Sequence, residues 1–385
     1  MKGLLKYLSP FAPDQSGAQA VLYDLGGIIV ISDAGGCTGN ICGFDEPRWF
    51  GKKSRIFSAG LRDMDAILGR DDRLVEKLAL ALRQVGGKFA AVIGTPVPAV
   101  TATDYRALKS LATGKTRMTV IAVECKGTAL YDEGAKSAWE EVFTTFSGKN
   151  PAERVKAEDD DENSTEKVKV EYDDENSTKE VKAEVADRKK IIGIIGMTPL
   201  DISLIDPTDF VAKIKNETKA DEVYAYGMGA GTEEIEHAGE AELNLVVSPA
   251  GLSAARYLKK KYGTEFETGF PFFSEDEKSN FRKAAGKRVL VVHQQMAGNE
   301  IRKIIEETDG TTDVTCGTWF MSDSEYARKG DVRFETEEGF RDYVLGGSFD
   351  VIIGDPLFKR ALKEFKGTYI EACHYAVSGY DQIAE

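Results

Sequence analysis

Five cysteines, three histidines and three tryptophans in 385 residues leave little material for several kinds of chemistry. So odd and sparse a cysteine set cannot build the disulfide framework of a secreted scaffold. A reducing compartment is expected, and any cysteine function there is metal or redox chemistry. A free cysteine can equally be a small buried hydrophobe. His237, His293 and His374 are the only imidazoles, so acid–base work has few candidates. No run approaches the roughly 18 apolar residues of a membrane span. Met1 to Leu8 holds two lysines and several leucines but no long apolar core or small-residue cleavage site, so it does not read as a signal peptide. The chain is expected to be cytoplasmic, with no membrane partner. Gly-x-x-x-x-Gly-Lys-Ser/Thr is missing, so any nucleotide hydrolysis belongs to a partner. Positive charge is short as well: the formal net charge is −14. A phosphate-backbone binder concentrates Lys and Arg on one face, so nucleic acid is excluded as a partner.

What is present is an ordinary globular balance, 42% hydrophobic and 30% charged, in a chain long enough for two or three domains. Short β-branched runs recur, each followed by a turn and a helix-compatible stretch, the pattern of parallel strands with crossover helices. Strands are expected at Gly27–Ser32, Phe89–Ile93 and Met118–Val123, then at Ile191–Ile195, Glu222–Tyr226 and Leu243–Val247. A last set is expected at Arg288–His293, Asp313–Cys316, Asp350–Ile353 and Thr368–Glu371. The expected class is α/β, with three small Rossmann-like doubly wound units and parallel sheets. Their spans are 1–150, 189–283 and 284–385.

Residues 151–188 stand apart as an acidic insert. Asp160-Asp-Glu-Asn-Ser-Thr165 returns 13 residues on as Asp173-Asp-Glu-Asn-Ser-Thr178. Val155 to Asp187 holds thirteen acidic residues against five lysines, so it carries −8 of the −14. Its apolar content is too low to repay ordering, and a solvated spacer without chemistry is expected.

The densest unusual passage is Ile31-Ser-Asp-Ala-Gly35-Gly36-Cys37-Thr-Gly39-Asn-Ile-Cys42-Gly-Phe-Asp-Glu-Pro-Arg-Trp49, directly after an apolar strand. Ligands in open α/β sheets bind outside the carboxyl ends of strands, where this loop should lie. Gly35, Gly36 and Gly39 let backbone amides approach a ligand, and a helix starting near Cys37 would favour an anion or a thiolate. Spacing alone leaves phosphate cradle, tight turn and metal site open, because the Cys37/Cys42 pair has no companion pair for a mononuclear zinc site. Cys125, in Val123-Glu-Cys-Lys126, also follows a strand and could face the same crevice with Lys126 lowering its pKa; a plain buried thiol is the alternative. Cys316 is expected in the core. Arg48 is expected to bind an anion or to pair with Asp45 or Glu46.

Several segments, in order, resemble the nitrogenase component 1 family, which includes molybdenum–iron protein subunits, cofactor-assembly scaffolds and the catalytic subunits of dark-operative protochlorophyllide reductase. Ser32-Asp-Ala-Gly-Gly-Cys37 is similar to the family's His-Gly-Pro-x-Gly-Cys loop, whose cysteine ligates a subunit-bridging cluster. Phe57 to Gly69 resembles the segment ending in a phrase like Phe-Gly-Gly. Ala-Glu-Leu-Asn-Leu-Val-Val-Ser-Pro249 and Ala-Ala-Arg-Tyr-Leu-Lys-Lys-Lys-Tyr-Gly263 look like the mid-chain passage, and Asp350-Val-Ile-Ile-Gly354 like a late strand. The likeness covers nearly everything outside the insert.

The resemblance implies an oxidoreductase subunit that holds an iron–sulfur cluster, of 4Fe–4S type, through Cys37 and Cys42 at a dimer interface. Cys125 is a further candidate ligand. Family members usually offer three cysteines per subunit, and only Cys37 falls on a matching position. Two chains giving Cys37 and Cys42 each would reach four thiolates. The partner chain is a second copy or a related component 1 subunit, electrons come from an ATP-dependent iron protein, and the substrate is a small molecule. A second metal cofactor, or a tetrapyrrole-type cofactor or substrate, stays open. His374 falls about where molybdenum–iron α-type subunits place the histidine that meets their large cofactor, which makes it the candidate catalytic residue; a counterpart of the other cofactor cysteine is missing, so dinitrogen is not the expected substrate. His293 could line the same cleft or be structural. The alternatives are a non-catalytic scaffold for cofactor assembly and a cluster-free ligand-binding protein.

Overall fold

The computed structural model describes residues 5–148, 189–202 and 206–379, so the acidic repeat lies outside the described residues. Three sheets follow one another along the chain. The first holds β1 (Ile28–Ile31), β2 (Arg55–Ser58), β3 (Ala90–Ile93) and β4 (Val120–Val123), in the order β2-β1-β3-β4. The second holds β5 (Ile191–Ile195), β6 (Glu222–Ala225), β7 (Leu243–Val246) and β8 (Glu265–Thr268), in the order β6-β5-β7-β8. The third holds β9 (Arg288–Val292), β10 (Asp313–Thr318), β11 (Val332–Arg333), β12 (Val351–Gly354) and β13 (Thr368–Glu371), in the order β11-β10-β9-β12-β13.

Every pairing is parallel. The inner strands β1, β3, β5 and β12 are buried at every residue, because crossover helices cover both faces of a parallel sheet. The ten expected strands are all present. The three that were not expected, β2, β8 and β11, lie at sheet edges and expose half or more of their residues at least partly.

In each sheet the first strand has its successor on one side and a later strand on the other. The carboxyl ends of β1, β5 and β9 are therefore topological switch points, where open α/β sheets bind ligands.

The helix Asp14–Leu22 is buried along its whole length against the helix Tyr131–Phe146. Glycine makes the crossing possible. A Cβ on Gly17 would stand 1.9 Å from Tyr131 O, and one on Gly134 would stand 1.7 Å from Asp14 O. Gly134→Ala should lower stability by an amount at the upper end of about 1–3 kcal/mol, because backbone rather than a movable side chain blocks the methyl. Gly114 sits on the exposed face of the helix Tyr105–Thr116 with nothing within 4 Å of its Cβ position. Gly114→Ala should instead add about 0.4–1 kcal/mol. Urea unfolding of the two variants checks the contrast.

The chain's start is strapped to the third unit. The amides of Lys6, Tyr7 and Leu8 donate to the Glu337 carboxylate at 3.0, 2.9 and 2.9 Å. Phe11 packs edge-on to Trp319. No helix among the described residues is long and apolar enough to cross a membrane.

Candidate metal centre and the junction of the three sheets

At the first switch point the chain leaves β1 through Ser32 and Asp33. Ser32 accepts from Thr95 Oγ1 at 2.7 Å, which ties the loop to the end of β3. Gly35 has φ +121°, a conformation that favours glycine, and it turns the chain into the short helix Gly36–Asn40. A π-helical turn follows at Ile41–Asp45, closed by Glu46 N donating to Ile41 O at 2.9 Å. Cys37 lies in the short α-helix and Cys42 in the π turn that follows it.

Both thiols are half-buried, and none of the five cysteines forms a disulfide. Burial and then Asp33 push the Cys37 thiol above its usual value, and burial and then Glu46 do the same for Cys42. Both shifts run against the thiolate expected at a helix N-terminus. Asp33, almost fully buried, already takes those donors, accepting from Thr38 N at 2.8 Å, Thr38 Oγ1 at 3.1 Å and Ser58 Oγ at 2.6 Å. A Cβ on Gly36, Gly39 or Gly43 would meet nothing within 4 Å, so this side of the loop is open to whatever approaches it.

Arg48 is structural. It pairs with Glu46 through Nε at 2.7 Å and Nη2 at 2.9 Å, and with Asp24 at 3.1 Å, and it donates to Ala20 O and Gly227 O. Asp45 pairs instead with Ser16 Oγ at 2.6 Å and Asn40 Nδ2 at 3.0 Å.

The structure does not bring Cys125 to the loop cysteines. It follows β4, two strand spacings or roughly 10 Å from β1. It is buried, and its thiol is pushed up by burial, Asp14 and Glu124. Lys126 does not counter this, for its ammonium pairs with Glu124 at 3.3 Å. Cys316 lies in the core with its thiol toward Gly298 O.

His374 and His293 meet where the second and third sheets face each other. Their rings stack at 4.7 Å, and Phe320 also stacks with His374 at 5.5 Å. His374 Nε2 points at Asp201 Oδ1, 3.8 Å away. Asp201 and its neighbour Thr198 lie just beyond β5, at the second switch point, and sequence reasoning did not single them out. The signal was available: Gly196-Met-Thr-Pro-Leu-Asp201 follows β5 as the cysteine loop follows β1. The space beside His293, His374 and Phe320 is about 10 Å³, room for one water at most. A second metal cofactor or a tetrapyrrole does not fit there, because Phe320, Trp319 and Phe358 fill the junction.

Burial pushes the Asp201 carboxyl up to about 7 and the His374 imidazole down to about 3. His293 is held well below its ordinary value by burial and by His374. In the unfolded chain Asp loses its proton near ~3.9 and His near ~6.5. Between those values the Asp201–His374 pair holds one proton whether folded or unfolded, so its two contributions to the pH dependence of stability cancel. His293 remains. Its depressed folded value contributes stability that is present above about pH 6.5 and lost as pH falls. Urea midpoints should decline from about pH 7 to about pH 5, and His293→Gln should flatten the decline. An equal slope in the variant would place its origin elsewhere.

Three parallel sheets in series, each with its ligand-side loop at a switch point and one such loop bearing paired cysteines, define a three-unit α/β protein of Rossmann-like build. Residues 15–284 match the nitrogenase component 1 type oxidoreductase family, and the chain belongs to that family. The match spans the first two sheets and stops before β9; for the third sheet the relation rests on fold. A solved structure of nitrogenase Cp1 at pH 6.5 is similar with a TM-score of 0.64 and 11% identity, covering 97% of this chain and 87% of that one. Another, nitrogenase Cp1 at pH 5, gives a TM-score of 0.63 and 13% identity over 99% of this chain and 86% of that one. At such identities the likeness is one of fold. No curated protein matches the chain.

Proposed function

We propose that this chain is an electron-accepting component 1 subunit, reduced by a separate ATP-dependent iron protein and passing electrons to a small molecule through an iron–sulfur cluster shared between two chains. The observation that carries this reading is the pair of half-buried thiols, Cys37 and Cys42, on the loop after β1, at the end of the sheet where exposed apolar side chains also gather. Phe44 follows β1, Met64, Ile67 and Leu68 follow β2, and Val97 and Val100 follow β3, all of them exposed. Parallel strands deliver these segments to one edge of one sheet. Exposed apolar residues gathered in this way mark an interaction surface.

The donor set fits half a site. Among the described residues no group of three or more His, Cys, Asp or Glu could hold a metal ion, and a 4Fe–4S cluster takes four thiolates. Cys37 and Cys42 would hold one side, and a second copy or a related subunit the other. When bound, the cluster supplies one-electron storage. The chain's own part is to fix the loop through Asp33, to give up two thiol protons on assembly, and to exclude water with the exposed apolar side chains. Anaerobic reconstitution should give a brown dimer with about four irons per pair of chains, reduced on addition of an iron protein and ATP. A colourless protein that takes up no iron rejects the reading.

The closed junction favours a second reading, a cofactor-assembly scaffold that keeps the shared cluster and turns over no substrate. Turnover with reductase and ATP separates the two.

A further inference from the structure

The polar groups at the junction form one line across the three units. Tyr131 opens the helix Tyr131–Phe146, Thr198 and Asp201 follow β5, and His374 follows β13. The Tyr131 hydroxyl is hydrogen-bonded to Thr198 Oγ1, and Thr198 Oγ1 donates to Asp201 Oδ2 at 3.0 Å. Asp201 Oδ1 and His374 Nε2 are fully buried and face each other at 3.8 Å, and among the described residues neither atom has a hydrogen-bond partner. The line ends near the cysteine loop: Tyr131 feels the charges of Glu46 and Arg48, and Glu46 acts on the Cys42 thiol.

The surrounding bonds dictate where a proton sits. Thr198 makes Oδ2 an acceptor, so a proton on Asp201 belongs on Oδ1, the oxygen that faces His374 Nε2. His293 does not compete for it. Its Nδ1 accepts from Gln294 N at 2.8 Å, so Nε2 carries the hydrogen given to Cys373 O at 3.2 Å, and the ring is neutral. The other carboxylates facing the junction are satisfied. Asp355 accepts from His374 N at 2.9 Å, Leu357 N at 2.8 Å and Ser378 Oγ at 2.9 Å, and Asp132 accepts from Met321 N at 2.7 Å. Among the described residues no lysine or arginine pairs with Asp201.

We propose that Asp201 and His374 form a buried proton store that holds one exchangeable proton between Oδ1 and Nε2, and that this proton balances an electron placed on the loop centre of the first unit. The second half rests on the electron-accepting reading above. The balance is one electron from the external reductant and one proton from the solvent: an O–H bond of hydronium breaks, leaving water, as the Asp201 O–H bond forms. The Asp201 carboxyl, pushed up to about 7, gains and loses its proton around neutrality, while His374, pushed down to about 3, stays an acceptor. A buried pair without a counter-cation responds strongly to added charge, because little solvent screens it.

Infrared difference spectra of the iron-free chain, taken between about pH 5.5 and 8.5, test the store, since an ordinary Asp is ionised throughout that range. A protonated-carboxyl band should vanish with a midpoint near neutrality. It should be missing in Asp201→Asn and kept in Asp132→Asn. Thr198→Val removes a bond that stabilises the carboxylate, so it should move the midpoint upward, and it provides the reading if Asp201→Asn does not fold. No titrating band, a band that survives Asp201→Asn, or an unmoved midpoint in Thr198→Val overturns the store. In reconstituted protein the potential should fall above about pH 7 by up to about 59 mV per unit, the one-electron equivalent of tenfold, and should be flat in Asp201→Asn. A flat wild-type response, or a slope that persists in the variant, overturns the coupling. Protein that takes up no iron rejects the electron-accepting reading, and the infrared arm still decides the store.

Discussion

Cys37→Ala should abolish the iron–sulfur absorption of anaerobically reconstituted protein. Cys37 is the second residue of the helix Gly36–Asn40, and none of that helix's residues is fully buried. Its thiol contributes little to the core, and the loop is held by Asp33, Ser32 and Arg48 rather than by sulfur. Circular dichroism and the thermal midpoint should therefore change little while iron is lost. The contrast identifies ligand loss rather than unfolding. Two thiols per chain leave no spare: a four-thiolate cluster deprived of one sulfur on each side retains half its protein ligands. Full iron retention in Cys37→Ala would remove the assignment of this loop as the metal centre.

The sheets were legible where strands are apolar and central. Ile28–Ile31 and Ile191–Ile195 are buried on both faces and read as continuous hydrophobic runs. Three edge strands were also legible: β4 as the apolar run Val-Ile-Ala-Val, and β6 and β13 because Val-Tyr and Tyr-Ile give them β-branched and aromatic centres. β2 hides behind Lys52-Lys53-Ser54-Arg55, β8 alternates as Glu-Phe-Glu-Thr, and β11 has two residues, too few for any periodicity. The cysteine loop was legible because glycines and cysteines are rare enough in combination to stand out. The π turn at Ile41–Asp45 that carries Cys42 was not, since it depends on an i→i+5 bond that no residue type announces. Asp201 and Thr198 stayed hidden for another reason: an Asp three residues after a Thr is common in helix starts, and only the meeting of β5 with the third sheet turns them inward.

Cys42→Ser decides how the shared site is built. In a symmetric dimer each chain provides Cys37 and Cys42, so the substitution removes two of four sulfurs and should empty the site as fully as Cys37→Ala. In a complex with a related subunit that brings three cysteines, Cys37 alone completes four thiolates, and Cys42→Ser should leave the iron content near wild type. The exchange is conservative for the fold, because Cys42 is half-buried and its neighbour Phe44 is 74% exposed. Light scattering gives the independent reading. The exposed Phe44, Ile67 and Val100 should be covered in a dimer, and Phe44→Glu with Ile67→Glu should shift the mass toward one chain and lower iron uptake in parallel. A single chain that still carries a complete cluster would remove the reason for a shared site, since the described residues of one chain hold no third thiol beside Cys37 and Cys42.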